Sequence, residues 1–245
     1  MQIDSPNPYA VGSMDSPVAA FAEDSERLGF IRRTYAHLTG AVLALIALET
    51  VLFMVVPANT MNALVTRMMS GYGWLIVLGL FMGVSWIARM WATSNTSKAV
   101  QYAGLGLYVA AEAVILLPML YIAVRMDPNI PVFAAAITSI CFIGLTVFVF
   151  ATKVDLAGWG KFLALGGIVA FGAIAAGIVM GFSLGLWFSA AMVGLACGYI
   201  LYDTSNVLHH YHTSQHVAAS LALFSSVVLL FWYVLRILMM FASDD

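Results

Sequence analysis

Seven apolar segments, each about long enough to cross a lipid bilayer, restrict the folds that are open to this chain. A helix needs ~20 apolar residues to cross ~30 Å of hydrocarbon. Such segments occupy residues 35–56, 72–92, 100–124, 131–151, 162–181, 186–202 and 217–241. Short connections that hold proline, asparagine and aspartate separate them. The pattern predicts an all-α polytopic membrane protein with seven transmembrane helices.

The composition supports a membrane location. Of the 245 residues, 62% are hydrophobic and 9% are charged, whereas a soluble domain carries about 25% charged residues. The lipid bilayer is therefore the first partner that we expect. A net charge of −2 predicts no nucleic-acid partner.

Residues 1–28 differ from the rest of the chain because they are polar and contain three prolines. They lack the apolar core of a signal peptide. We expect a mobile N-terminal tail, followed by a transmembrane domain at residues 29–245. We also expect the fold to survive removal of residues 1–25.

The lysines and arginines are divided unequally between the two ends of the predicted helices. Seven lie on the side where the chain begins and three on the other side, at Arg67, Arg125 and Arg236. The positive-inside rule then predicts a cytoplasmic N-terminus and, with seven spans, a C-terminus outside. Asp203 would lie near the cytoplasmic surface.

Ionisable side chains inside the spans are candidate functional groups, because a charge in hydrocarbon is costly. Asp203 ends the sixth span, and Glu112 lies in the third span, six residues before Pro118. A proline bend beside a buried acid is a common way to line a polar cavity. We expect structural roles for His37 and Arg236 near the membrane interfaces. Glu49 has no evident partner.

Four histidines follow the sixth span, at positions 209, 210, 212 and 216. A pH-responsive interfacial loop is favoured over a zinc site, since no carboxylate or thiolate lies within the cluster. We therefore predict neither a bound metal nor a cofactor. The two cysteines lie in apolar runs without ligand spacing, as small core residues do.

The sequence also bears on catalysis and assembly. It contains no GxSxG, HExxH or phosphate-loop motif, so we do not predict an enzyme. Gly177, Gly181 and Gly185 are spaced by four, as are Gly194 and Gly198. This spacing favours close helix packing within one protomer, with an oligomer interface as the alternative. The oligomeric state stays open.

Three stretches resemble the Bax inhibitor-1 (TMBIM) family, and in particular its bacterial YccA-like members. The stretches are residues 31–35 (IRRTY), residues 145–156 with a T-K-x-D connection, and residues 200–207 (ILYDTSNV) with a following histidine. The residues that match the family motif are Thr152, Lys153, Asp155, Tyr202, Asn206 and His209.

The resemblance implies a seven-helix fold with the last helix central, in a bacterial inner membrane. Members are described as pH-sensitive calcium leak channels or as modulators of cell-death and protease machinery. In the leak-channel members, two aspartates on helices six and seven share a proton, and an arginine at the end of helix two latches onto them. Asp203 matches the first aspartate, and Arg89 is the nearest counterpart of the arginine.

Ser226 stands at the place of the second aspartate. YccA-like members share this serine, and YccA itself is implicated in restraining the membrane protease FtsH. A single carboxylate lacks the like-charge repulsion through which paired acids share a proton. In our first hypothesis the protein is a non-enzymatic calcium (cation) leak channel. Asp203, Glu112 and Ser226 would sense ions or protons, Arg89 would be the latch, and Ca²⁺ would bind only transiently. In the alternative the protein regulates an FtsH-like protease and conducts no ions.

Overall fold

The computed structural model describes residues 16–94 and 97–244, and within them the chain is helical almost throughout. Seven helices are long and apolar enough to cross a membrane, which confirms the predicted fold class. An eighth helix lies between the first two spans, and a short 3₁₀ turn, Ala157–Trp159, precedes the fifth. The helices are α1 Asp24–Val55, α2 Ala58–Met69, α3 Gly73–Ala92, α4 Lys98–Met126, α5 Ile130–Thr152, α6 Gly160–Met180, α7 Leu186–His209 and α8 His216–Asp244.

Local sequence signals set several helix ends. The side chain of Ser97 caps α4 by accepting a hydrogen bond from the Val100 N–H at 3.2 Å. Pro131 lies in the first turn of α5, where a proline costs no hydrogen bond. Lys153 ends the same helix with a left-handed φ of 53°. A residue other than glycine rarely adopts this conformation. The surrounding contacts must therefore hold the connection after α5 in its shape.

Helix α8 is the centre of the bundle. It packs against α1, α3, α4, α5 and α7, and the five consecutive residues 217–221 are all buried, so its first turns are covered on every face. Side chains that are buried on every face of a membrane helix show that other helices, and not lipid, surround it. The central position that the family resemblance implied for the last helix is therefore observed.

Helix α2 was missed by the sequence analysis, which described only short connections. Met61 and Val65, four residues apart, are buried against Leu117 of α4, while the rest of the helix is largely exposed. Twelve residues are too short for a span, so a search for apolar runs passes over a helix with one narrow apolar face.

The boundary between the tail and the transmembrane domain can be placed only in part. Helix α1 begins at Asp24, inside the segment that was assigned to the tail. Residues 16–23 contact the α7–α8 connection. Residues 1–15 lie outside the described residues, so their predicted mobility stays a prediction.

The glycine pattern contributes to packing between α6 and α7. At Gly198 a Cβ atom would lie 2.9 Å from a methyl carbon of Leu163 on α6. At Gly194 and Gly185 a Cβ atom would meet nothing within 4 Å. Gly198 thus allows close contact within the protomer, and the alternative of an oligomer interface stays a prediction.

Candidate functional site

Asp203 lies two turns before the end of α7 and faces the central helix. The residue is 8% exposed, and its carboxylate accepts a hydrogen bond of 2.5 Å from the hydroxyl of Ser226 on α8. Ser226 is itself buried and lies 3.3 Å from the Ala222 carbonyl one turn earlier. The two residues that the family resemblance placed together therefore form one buried polar contact.

The neighbouring Ser225 carries the contact toward α3 and α4. Its hydroxyl oxygen accepts hydrogen bonds from the guanidinium of Arg89 at 2.8 Å and from the phenol of Tyr108 at 2.9 Å. The guanidinium carbon also lies 5.5 Å from the centre of the Tyr108 ring, within the range of a cation–π interaction. These three side chains form a bridge from α3 through α4 to the central helix.

Arg89 makes no direct ion pair with Asp203. Among the residues that the structure describes, only His210 and Asp155 form an ion pair. In the leak-channel members the arginine has two carboxylates to bind. This chain has only Asp203 at that place, and Ser226 already contacts it. The guanidinium binds Ser225 and Tyr108 instead, one residue away from the expected position.

Glu112 belongs to the same network through Tyr108. The two residues are one turn apart on α4, and both are buried. Ser226 contacts Asp203, its neighbour Ser225 contacts Tyr108, and Glu112 lies one turn after Tyr108. We call these five residues with Arg89 the polar network. The sequence analysis missed Tyr108, although its position four residues before Glu112 places it on the same face of the helix.

The T-K-x-D connection is held by the last turns of α7. The buried hydroxyl of Ser205 accepts from the Leu156 N–H at 2.9 Å and lies 3.1 Å from the Val154 carbonyl. His209 lies 3.2 Å from the Lys153 carbonyl, and since a carbonyl can only accept, its Nε2 atom carries the proton. These contacts hold the strained backbone of Lys153 in place.

Asp155 in this connection pairs with a histidine. His210 Nε2 lies 2.9 Å from the carboxylate, which also accepts from the Ala157 N–H at 3.0 Å. The hydrogen bond from His210 and that from Ala157 lower the pKa of Asp155 from its ordinary value. Both side chains are about half exposed, so the pair contributes little to stability.

The remaining motif residues have local roles. Thr152 donates to the Phe148 carbonyl at 2.8 Å, and the Asn206 carbonyl accepts from the His210 and Tyr211 N–H groups. The Tyr202 ring packs so closely on Gly160 that a Cβ atom there would lie 2.9 Å from the phenol oxygen. These contacts are local to the helix ends that carry the motif.

Residues 16–23, which we call the N-terminal strap, cover the α7–α8 connection beneath Asp203. Val18 and His212 form an isolated antiparallel bridge. The Ala19 N–H donates to the Tyr211 carbonyl at 2.9 Å, and the Thr213 N–H donates to the Pro17 carbonyl at 3.0 Å. The strap therefore pairs with the backbone of the connection that follows the end of α7.

The four histidines after the sixth span have separate contacts. His209 and His210 contact the α5–α6 connection, His212 donates from Nδ1 to the Ser16 carbonyl at 2.6 Å, and His216 lies beside His37. Within the described part of the chain, no group of three or more His, Cys, Asp or Glu side chains is arranged to hold a metal ion.

Two other charged residues lie apart from the polar network. Arg236 donates to the Leu184 carbonyl at 2.6 Å, which is consistent with the structural role that we expected near its end of the helix. Glu49 on α1 is buried, and neither carboxylate oxygen has a hydrogen-bond partner.

Comparison with known proteins identifies the class. The profile of a family described as "Inhibitor of apoptosis-promoting Bax1" matches residues 27–243. The protein is therefore a multi-pass membrane protein that belongs to the Bax inhibitor-1 family.

Individual relatives are distant. The chain is 29% identical over 233 residues to Bax inhibitor 1 of Schizosaccharomyces pombe, covering 94% of this chain and 83% of the relative. It is 36% identical over 120 residues to an uncharacterized protein of Campylobacter jejuni, covering 45% of this chain and 48% of that protein. It is 29% identical over 114 residues to the Golgi anti-apoptotic protein of vaccinia virus, covering 46% and 48%.

Proposed function

We propose that this protein is a non-enzymatic cation leak channel, with calcium as the permeant ion and Asp203 as the ion-sensing group. The observation that supports the proposal is the buried carboxylate of Asp203, which accepts a hydrogen bond from Ser226 on the central helix. The adjacent Ser225 hydroxyl is contacted by Arg89 and Tyr108. An acid in this position is costly for a purely structural protein. Calcium prefers carboxylate and other oxygen ligands, which is what this network supplies.

The contacts describe a closed state in this proposal. Ser226 satisfies the Asp203 carboxylate, and the positive charge of Arg89 beside Ser225 repels a cation. Arg89 lies in the last turn of α3, and its guanidinium is exposed, so it can leave Ser225 without a large movement of the helix. Once Arg89 withdraws, the oxygen atoms of Ser225, Ser226 and Asp203 become free to replace water around a passing cation.

The membrane and the orientation of the protein in it are part of this proposal. The protein lies in the bacterial inner membrane with its N-terminus in the cytoplasm, as the excess of Lys and Arg on that side supports. The polar network then lies near the cytoplasmic surface and acts as the inner gate.

Calcium flux into dye-loaded liposomes tests this function. We expect liposomes that contain the purified protein to take up calcium faster than protein-free liposomes of the same lipid. The uptake should be weak, or nearly constant between about pH 6 and about pH 8, because one carboxylate lacks the coupling of a pair. Uptake equal to that of protein-free liposomes at both pH values would contradict the proposal.

The second candidate function is regulation of a membrane protease such as an FtsH-like enzyme, without ion conduction. The replacement of the second aspartate by Ser226 favours it, because the proton-sharing pair of the leak-channel members cannot form. The polar residues 1–15 would be the segment that the protease engages. Degradation of a membrane substrate by the co-reconstituted protease, with and without this protein, tests the alternative, and an unchanged degradation rate would contradict it.

A further inference from the structure

A groove between α1 and α4 lies on the lipid-facing side of the bundle, away from the polar network. Its volume is about 570 Å³. Its floor and walls are mostly small or aliphatic residues, including Ala36, Gly40, Ala44, Leu48 and Gly106. From Ala36 to Leu48 the helix rises ~18 Å, which is close to half of the ~30 Å hydrocarbon thickness. The groove therefore has the length of one acyl chain in one leaflet.

The end of the groove nearest the N-terminal side of the membrane is polar. His37 of α1 and Tyr102 of α4 meet there, with His37 Nε2 3.0 Å from the Tyr102 hydroxyl. The Nδ1 atom of His37 lies 2.6 Å from the Arg33 carbonyl. Since that carbonyl can only accept, Nδ1 carries the proton and Nε2 accepts from Tyr102. This pair closes the apolar groove at the level where a lipid headgroup begins.

Two cations lie one helical turn beyond this pair. Arg33 precedes His37 by four residues on α1, and Lys98 precedes Tyr102 by four residues on α4. Both side chains are exposed, and neither has a carboxylate partner within residues 16–94 and 97–244. Because His37 and Tyr102 are in contact, the two cations lie at the same end of the groove.

The first turn of α8 adds to the positive potential in this region. The His216 ring lies 5.0 Å from the His37 ring, and its buried Nδ1 atom has no hydrogen-bond partner. Helix α8 starts at this residue, and the start of a helix carries a partial positive charge. An anionic group that reached this region would meet positive charge from α1, α4 and α8.

We propose that the groove binds one anionic phospholipid, with an acyl chain along Gly40 and Gly106 and the phosphate group between Arg33 and Lys98. The long apolar groove favours the acyl chain of a lipid. The two cations without a carboxylate partner, Arg33 and Lys98, favour a negatively charged headgroup. A basic residue near an anionic lipid is worth ~1 kcal/mol, or roughly fivefold in affinity. The site is independent of the proposed ion leak.

Native mass spectrometry of the full-length protein in detergent tests the site. The probes are phosphatidylglycerol and phosphatidylcholine with identical acyl chains. We expect the native protein to retain one phosphatidylglycerol in preference to phosphatidylcholine. The double variant Arg33→Gln/Lys98→Gln should lose roughly 25-fold of that preference. Lys161→Gln removes a charge from the same side of the membrane, at the start of α6, and should leave the preference unchanged.

A second pair of variants tests the acyl-chain part of the site. Gly106→Leu places a side chain in the groove and should reduce retention of both lipids. Gly172→Leu is the control, because a Cβ atom at Gly172 or at Gly106 meets nothing within 4 Å but Gly172 lies on α6. Equal retention of the two lipids by the native protein would overturn the proposal. So would an effect of Lys161→Gln as large as that of the double variant, or an unchanged retention in Gly106→Leu.

Discussion

The hydroxyl of Ser226 occupies the position from which a second acid would face Asp203, and this one residue sets the chemistry of the polar network. A hydroxyl donates a hydrogen bond to the carboxylate at 2.5 Å, whereas a second carboxylate would repel it unless the two shared a proton. Asp203 therefore has one stabilising neighbour and no like-charged one beside it. Ser225, the adjacent residue, then holds Arg89.

Ser226→Asp should make the protein more responsive to pH than the native chain. The substitution places two carboxylates in one buried site, where only one can ionise at little cost, so the pair holds a proton near neutral pH. We expect calcium flux in liposomes to change steeply between about pH 6 and about pH 8 for the variant, while the native protein stays nearly constant. Ser226→Asn, which places a side chain of the same shape but without a charge at the same position, is the control. The same flat profile in Ser226→Asp would show that these two positions do not couple.

Ser205→Ala should destabilise the protein, because the substitution leaves the buried Leu156 N–H without an acceptor. A buried N–H group without an acceptor lowers the free energy of unfolding by ~1–3 kcal/mol. The matched control is Ser189→Ala on the same helix, since the Ser189 hydroxyl is buried without a partner. Unfolding of the detergent-solubilised proteins by denaturant measures the difference. Equal stability of the two variants would mean that the α5–α6 connection does not depend on Ser205.

The sequence was sufficient to select Asp203, Ser226, Glu112 and Arg89 as candidate site residues. It was not sufficient to predict all of their contacts. The register of α8 against α7 could be inferred from the family resemblance, so Ser226 was expected opposite Asp203. The partner of Arg89 depends on how three helices pack, and a one-residue difference along α8 decides between Ser225 and Ser226. Sequence spacing within one helix cannot resolve that choice.

At the scale of elements, the N-terminal strap and the T-K-x-D connection hold the end of α7 from two sides. The strap forms hydrogen bonds to residues 211–213 through its backbone atoms. The side chains of residues 16–23 therefore give no pattern from which this contact could be predicted. The hydroxyl of Thr213 adds a hydrogen bond of 2.5 Å to Glu26 in the first turns of α1. Helix α2 escaped prediction for a related reason, since only one narrow face of it is apolar.

Removing residues 1–15 and removing residues 1–23 should have different effects. The shorter deletion leaves the strap in place, while the longer one removes its hydrogen bonds to Tyr211 and Thr213. This changes the expectation from sequence alone, in which the whole of residues 1–25 was dispensable for the fold. Hydrogen exchange should show faster exchange at residues 211–216 only in the longer deletion. Faster exchange in both, or in neither, would contradict the contact that we assign to the strap.

At the scale of the whole molecule, the arrangement consists of seven apolar spans, of which the last is surrounded by the others. The lengths of the runs were sufficient to predict the number of spans, because hydrocarbon thickness leaves little choice. The centrality of α8 required the family resemblance. Several of the other spans are also apolar on most sides, because they face lipid, so composition alone does not distinguish them from the centre.

The seven spans and the charge distribution predict termini on opposite sides of the membrane. We expect a reporter that is active only in the cytoplasm to function when fused at the N-terminus, because seven of the ten Lys and Arg residues lie on that side. A reporter that is active only outside should function at the C-terminus. Activity of one and the same reporter at both ends would contradict the topology.

Calcium uptake by liposomes that contain the native protein, Asp203→Asn or Glu49→Gln tests the central claim most directly. Both substitutions neutralise a buried acid, but Glu49 lies outside the polar network and serves as the control. We expect Asp203→Asn to lower calcium uptake about tenfold or more, since ~1.4 kcal/mol of lost cation stabilisation is a factor of ten. Glu49→Gln should retain the native rate. A native rate in Asp203→Asn would contradict the assignment of Asp203 as the ion-sensing group.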